Sequence, residues 1–188
     1  MNAPRLESLP AIEAAVWREL GHAVRTKGHG WRLGVLATVD GDAADARSVV
    51  LRDLDAATHT LLMYTDARSP KARQIQTHPQ GMLVLWSDKL GWQLRLTVSL
   101  TLETAGLRVS SRWAQLKLTP AAQDYLSPLP PGRVVGSVVG AAAVPERTSR
   151  DHFAVIAAHV EALDWLELHP QGHRRARFDA AGPAWLSP

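Results

Sequence analysis

Residues 92–103 read Trp-Gln-Leu-Arg-Leu-Thr-Val-Ser-Leu-Thr-Leu-Glu. Trp92, Leu94, Leu96, Val98, Leu100 and Leu102 alternate with Gln93, Arg95, Thr97, Ser99, Thr101 and Glu103, the period of a strand with one apolar and one polar face. Upstream, Lys89-Leu90-Gly91 reads as a turn joining this strand to an apolar one over Met82 to Trp86. Further back, Trp31 to Val39, Ala46 to Leu54 and Thr58 to Thr65 are β-rich runs separated by Asp40-Gly41 and Asp55-Ala56-Ala57. Downstream, Phe153 to Leu168 and His173 to Phe178 read as late strands. Helices are expected at about 8–25, where Leu9, Ile12, Val16 and Leu20 recur at helical spacing, and at Ser110 to Leu118. Another begins at Ser69-Pro70, an N-cap residue followed by a residue suited to a first helical position. Consecutive strands on short connections predict a mainly β fold with flanking helices: an antiparallel barrel, closed or partly closed, in one domain spanning 1–188. The barrel would use about 31–105 and 152–187.

Composition narrows the function classes. The chain of 188 residues is 46% hydrophobic and 21% charged, the profile of an ordinary globular domain. It has no cysteine, so disulfides, thiolate metal sites and a cysteine nucleophile are excluded. The formal charge of +3 gives no general argument for nucleic acid. The longest uncharged stretch, Val134 to Pro145, is too short and glycine-rich to span a bilayer. No apolar leader opens the chain, and a cytoplasmic location is expected.

Several familiar motifs fail on spacing. Gly28-x-Gly30-x-x-x-Gly34 precedes a strand, unlike a dinucleotide fingerprint, and the histidine pairs 22/29 and 152/159 lack zinc-protease spacing. No metal site is expected. Three basic segments are more informative. Tyr64-Thr-Asp-Ala-Arg-Ser-Pro-Lys71 brings hydroxyls, Arg68 and Lys71 to the start of a helix, where free N–H groups and the helix dipole favour an anion. A capped surface helix is the plainer reading of the same residues. Arg47-Ser-Val-Val-Leu-Arg52 places one arginine on each face of an apolar strand, and a buried guanidinium needs an anionic partner. Phosphate, or Asp53 or Asp55, could supply it. Gln93 and Arg95 lie on the polar face of the long strand, and His173-Arg-Arg-Ala-Arg-Phe178 is a basic surface strand.

Taken in order, Arg-x-Val-x-Leu-Arg at 47–52, Tyr-Thr at 64–65, Ser-x-Lys-Ala-x-Gln-Ile at 69–75, Gln93 and Arg-x-Arg-Phe at 175–178 form a larger pattern. It resembles the pyridoxamine 5'-phosphate oxidase-like FMN-binding split barrels over about 31–105 and the last strands. The resemblance implies a homodimer with FMN at its interface. Arg47 and Lys71 would hold the phosphate, supported by Thr65 and Ser69. The backbone of Val49, Val50 and Leu51, together with Arg52, would line the isoalloxazine edge. Tyr64 would lie near the cofactor, Gln93 would bond the flavin, and Arg177 with Trp165 or its neighbour Leu166 would come from the second subunit.

The resemblance further implies a flavoprotein that transfers hydride between a small substrate and FMN. Two alternatives accompany it: pyridoxamine 5'-phosphate oxidation itself, with Arg52 and Arg175 contacting substrate, and non-catalytic flavin or haem binding. The pattern departs from the oxidases in specific places. Pro70 stands where they carry a basic residue, and Arg52 where they carry lysine. Their Tyr-x-x-x-Arg-x-x-x-Ser substrate helix has no match, because Tyr125 is followed at that spacing by Leu129 and Arg133. Their late Arg-x-His pair aligns with His173 and Arg175. The segment 127–145 is expected to shape the substrate pocket.

Overall fold

The computed structural model describes residues 5–135 and 150–188. Helix α1 (Leu9–Ala23) begins at Ser8, whose hydroxyl accepts from the Ala11 amide at 3.4 Å. Its apolar stripe, Ile12, Val16 and Leu20, is fully buried. Strands β1 (Leu33–Asp40), β2 (Ala43–Asp55) and β3 (Thr60–Asp66) form an antiparallel meander, and α2 (Pro70–Thr77) leads into the hairpin β4 (Gln80–Ser87) and β5 (Trp92–Glu103). Helix α3 (Leu107–Leu116) and a 3₁₀ turn (Pro120–Tyr125) precede the long strand β6 (Phe153–Glu167) and two short ones, β7 (Arg174–Phe178) and β8 (Ala184–Leu186).

The strand order β3-β2-β1-β4-β5-β6-β7-β8 closes on itself because β3 also pairs with β6. Strand β6 carries both partners on one edge. Residues 153–159 pair with β3, whereas Leu163 to Glu167 pair with β7. The ring closes along the first half of β6 and opens along the second, which gives a split barrel. Its interior is one apolar cluster in which Leu36, Leu51, Met63, Leu83, Leu94 and Ile156 meet the α1 stripe. At roughly 1.5–3 kcal/mol per fully buried large apolar side chain, this interior dominates the stability of the fold. A second cluster, around Trp113 and Phe153, packs α3 and the 3₁₀ turn on the outside of β3 and β6.

The mainly β architecture agrees with the sequence reading; some element boundaries do not. Residues 30–32 form a 3₁₀ turn where a strand was expected from Trp31, because His29 Nδ1 accepts the Trp31 amide at 3.1 Å and the indole turns inward. Helix α3 starts at Leu107, earlier than Ser110, after Gly106 at φ 97°. Strand β8 went unread, since three residues beside Pro183 carry almost no periodic signal. Of the segment 127–145, residues 136–145 lie outside the described residues.

Candidate cofactor site

The end of β3 and the start of α2 bring Thr65, Ser69 and Lys71 together. Ser69 occupies the N-cap position, yet its hydroxyl makes no capping bond and instead lies 3.1 Å from Thr65 Oγ1. Both residues are buried. Lys71 Nζ donates to the same Thr65 oxygen at 3.3 Å, and the Thr65 hydroxyl donates on to the Asp66 carbonyl at 3.3 Å. No carboxylate lies within 4.0 Å of Lys71 among the described residues. Burial, followed by repulsion from Arg47, pushes the Lys71 ammonium below the ordinary lysine pKa.

Arg47 projects from the interior face of β2, where it is paired in register with Leu36. Its guanidinium donates to the Leu36 carbonyl at 3.2 Å, Thr38 Oγ1 at 2.5 Å and Gln74 Oε1 at 2.9 Å, and pairs with Asp45 at 2.6 Å. The Gln74 amide also donates to Asp45 at 2.8 Å, and these two partners hold the Asp45 carboxyl below its ordinary range. Asp45 therefore takes the part expected of Asp53 or Asp55. Arg68 is likewise engaged: its backbone N–H and guanidinium bind Asp66, with NH2 at 2.7 Å, so it adds no free cation to the helix start.

Arg52 and Tyr64 lie on the opposite side of β2 and β3. Arg52 follows the inward Leu51 and so faces outward, at the register shift between Leu51 and Asp53, with its guanidinium over the Tyr64 ring at 5.5 Å from its centroid. Arg112 of α3 pairs with Asp53, and Tyr64 and Tyr125 both stand edge-on to Phe153 at just over 5 Å, 5.1 and 5.3 Å between centroids. Burial raises the pKa of both tyrosines, with nearby Arg52 opposing it. Arg52 Nε, Arg112 Nε and Trp113 Nε1 are buried without a hydrogen-bond partner among the described residues. Arg112 lies inside the helix expected at Ser110 to Leu118 but went unread as a site residue, because its partner Asp53 is far away in sequence and no local pattern joins the two.

The outer face of β1, β4, β5, β6 and β7 forms a third region. Register aligns Val84 with Arg95, Arg95 with Asp164 and Asp164 with Arg177 in one row, and Trp86, Gln93, Leu166 and Arg175 in the next. Asp164 takes Arg175 through two bonds, at 2.9 and 2.6 Å, and Arg95 at 3.7 Å, while Arg177 pairs with Asp179 at 2.8 Å. Beside this polar half, Leu33 (57% exposed), Val35 (43%) and Trp86 (42%) leave an apolar half open. Val50 shares this face through its pairing with Leu33, whereas Val49 and Leu51 are turned into the core. Trp165 is not on the outer face. It is fully buried against Trp92, and its neighbour Leu166 points outward.

Residues 14–103 match the family model of the pyridoxamine 5'-phosphate oxidase FMN-binding domain. The fold is that of the pyridoxamine 5'-phosphate oxidase-like split barrels. A pyridoxine/pyridoxamine 5'-phosphate oxidase of Caulobacter vibrioides is 27% identical over 163 residues, covering 81% of this chain and 72% of that protein. Among solved structures, a pyridoxamine 5'-phosphate oxidase-related, FMN-binding protein of Nostoc punctiforme superposes with a TM-score of 0.72 at 23% identity, covering 93% of this chain and 96% of that one. PhzG of Burkholderia lata, solved with tetrahydrophenazine-1-carboxylic acid, also gives 0.72, at 15% identity with coverage of 100% and 98%. The two structural likenesses establish the fold. No described helix is long and apolar enough to cross a membrane.

Proposed function

We propose that the protein binds FMN and uses it in hydride transfer with a small-molecule substrate, as a homodimer closed across the outer face of its sheet. The observation that carries this reading is Lys71: a half-buried ammonium beside two hydroxyls and a helix start, with Asp66 and Asp45 acting on it only at a distance and no carboxylate in ion-pair contact among the described residues. A phosphate monoester supplies the missing charge and accepts from Lys71, Thr65 and Ser69. Arg47 contributes chiefly by position and field, because neutral oxygens and Asp45 already occupy its donors.

FMN, when bound, supplies the two-electron chemistry. The chain's part is to hold and orient it. Gln93 and the half-buried Val50 edge would face the flavin ring, and Leu33, Val35 and Trp86 form the apolar ground that a second copy would cover. The partner-side contacts would come from Arg177 and from Leu166, since Trp165 is enclosed. A second reading, pyridoxamine 5'-phosphate oxidation itself, is favoured by the unpartnered donors of Arg52, Arg112 and Trp113, which would suit an anionic substrate group. Arg175 serves that reading less well, being held by Asp164.

The test is fluorescence titration of FMN with the purified protein, followed by a screen of substrates for bleaching of the bound flavin. Saturable quenching is expected. Unquenched FMN at all protein concentrations would sink the proposal, and peroxide release from pyridoxamine 5'-phosphate would establish the second reading.

A further inference from the structure

Arg68 is the most heavily engaged side chain near the proposed phosphate site, and its partners do not belong to that site alone. Its backbone N–H and Nε donate to Asp66 Oδ1 at 2.7 and 3.1 Å, and NH2 donates to Oδ2 at 2.7 Å. The same guanidinium donates to the carbonyls of Ser127 at 2.8 Å, Pro128 at 3.2 Å and Leu129 at 3.5 Å. Asp66 is itself almost fully buried, and Ala67 N donates to the His152 carbonyl at 2.7 Å, so the anchor end of this arrangement is fixed. The far end is a loop with no regular structure that continues to Gly132, where a Cβ would sit 3.7 Å from Pro70 Cγ. Pro70 precedes Lys71. One arginine therefore holds a surface loop against the residue beside the proposed phosphate-binding lysine.

We infer that Arg68 is a positioning residue that staples the Ser127–Gly132 loop over the start of α2 and thereby slows release of the bound cofactor. The inference rests on the FMN reading above. Planar guanidinium geometry is what lets one side chain chelate a carboxylate and three carbonyls at once, and an ammonium cannot reproduce it. The segment does not touch the phosphate donors directly, so its effect falls on exit and not on the binding contacts themselves. Loss of the staple frees the loop without removing Lys71, Thr65 or Ser69.

The experiment compares the wild type with Arg68→Ala and Arg68→Lys in two measurements. Limited trypsin digestion of the cofactor-free protein, read by mass, follows cleavage after Arg133 and does not depend on FMN. Displacement kinetics then give the FMN dissociation and association rates. Both variants are expected to be cleaved after Arg133 at least tenfold faster. They should release FMN at least tenfold faster, with association changed by less than about threefold. Wild-type rates in both measurements overturn the staple, as does a loss confined to association. Wild-type protein that never binds FMN sinks the functional reading instead, and the digestion result still tells whether Arg68 holds the loop. Arg68→Lys keeps the charge, so it carries the test if Arg68→Ala does not fold.

Discussion

Two basic clusters lie on opposite faces of the β2–β3 ribbon, and they satisfy their charges differently. On the α2 side, both terminal nitrogens of Arg47 meet oxygens, and Lys71 rests on Thr65. On the α3 side, Arg52, Arg112 and Trp113 each bury an N–H that no described residue accepts. Both clusters arise from one short run of sequence, because residues 47 and 52 are five apart and strand alternation sets them on different faces. A prebuilt oxygen network fixes cation positions before any ligand arrives, which limits the ordering entropy a ligand must supply. Buried donors without acceptors instead destabilise the free protein and favour whatever group fills them.

The largest expected effect breaks the α2-side cluster. Arg47→Ala with Lys71→Ala removes two positive charges from a partly buried anion site: the Lys71 bond to phosphate is worth about 1.5–3 kcal/mol, and the field of Arg47 is lost with it. FMN affinity should fall at least 100-fold, measured by fluorescence titration, while Arg52→Ala leaves phosphate-end affinity within about tenfold. Equal losses from the two variants would mean that the clusters act on the same ligand group and that the contrast between faces has no functional content.

A pH titration sharpens the same comparison. Burial and Arg47 lower the Lys71 pKa, so the free protein loses this charge at a lower pH than an ordinary lysine would. A bound phosphate favours the ammonium and raises that pKa again, which makes binding take up a proton in the alkaline range. FMN affinity should therefore decline as pH rises toward the ordinary lysine value of 10.5, by up to about tenfold per pH unit. The cofactor-free fold has the opposite sign: over that window the unfolded chain binds more protons, so stability gains slightly as pH rises. Lys71→Arg should shift the decline in affinity beyond the measurable range. A decline retained in that variant assigns the titration to another group.

Much of this comparison was legible in the sequence, and the gaps have physical causes. Strict alternation over 92–103 identifies the barrel strand because one face is buried and the other is not. Thr65, Ser69 and Lys71 were readable as one cluster, since they are close in sequence at one strand-to-helix turn, whereas Arg47, on the preceding strand, joined them only through the family resemblance. The α3-side cluster depends on contacts between residues 52, 64, 112 and 125, which no local pattern reports. Trp165 shows a second limit. Strand β6 changes register opposite Thr97 and Val98, so the face of residues 153–160 does not extrapolate to 165. Its N-terminal half is also covered on both sides, by the barrel interior and by α3, and loses the alternation that would have revealed the shift. Closure of the ring by β3 and β6 joins residues about 90 positions apart, beyond the reach of hairpin signals.

The smallest expected effect isolates one unpartnered donor. Trp113→Phe deletes the buried Nε1–H but keeps an aromatic ring against Phe153, now 5.2 Å away between centroids. Removing an unsatisfied donor recovers about 1–3 kcal/mol, and the smaller ring leaves a space that costs a similar amount. The two terms should nearly cancel, leaving unfolding free energy in denaturant within about 1 kcal/mol of wild type. Trp113→Ala has no such offset, because it forfeits the packing as well, and should cost about 3–5 kcal/mol. A Trp113→Phe loss above about 2 kcal/mol would show that Nε1 has an acceptor in solution. The contrast with the counterpart across the ribbon would then rest on Arg52 and Arg112 alone, and the case for an anionic substrate group there would lose one of its three donors.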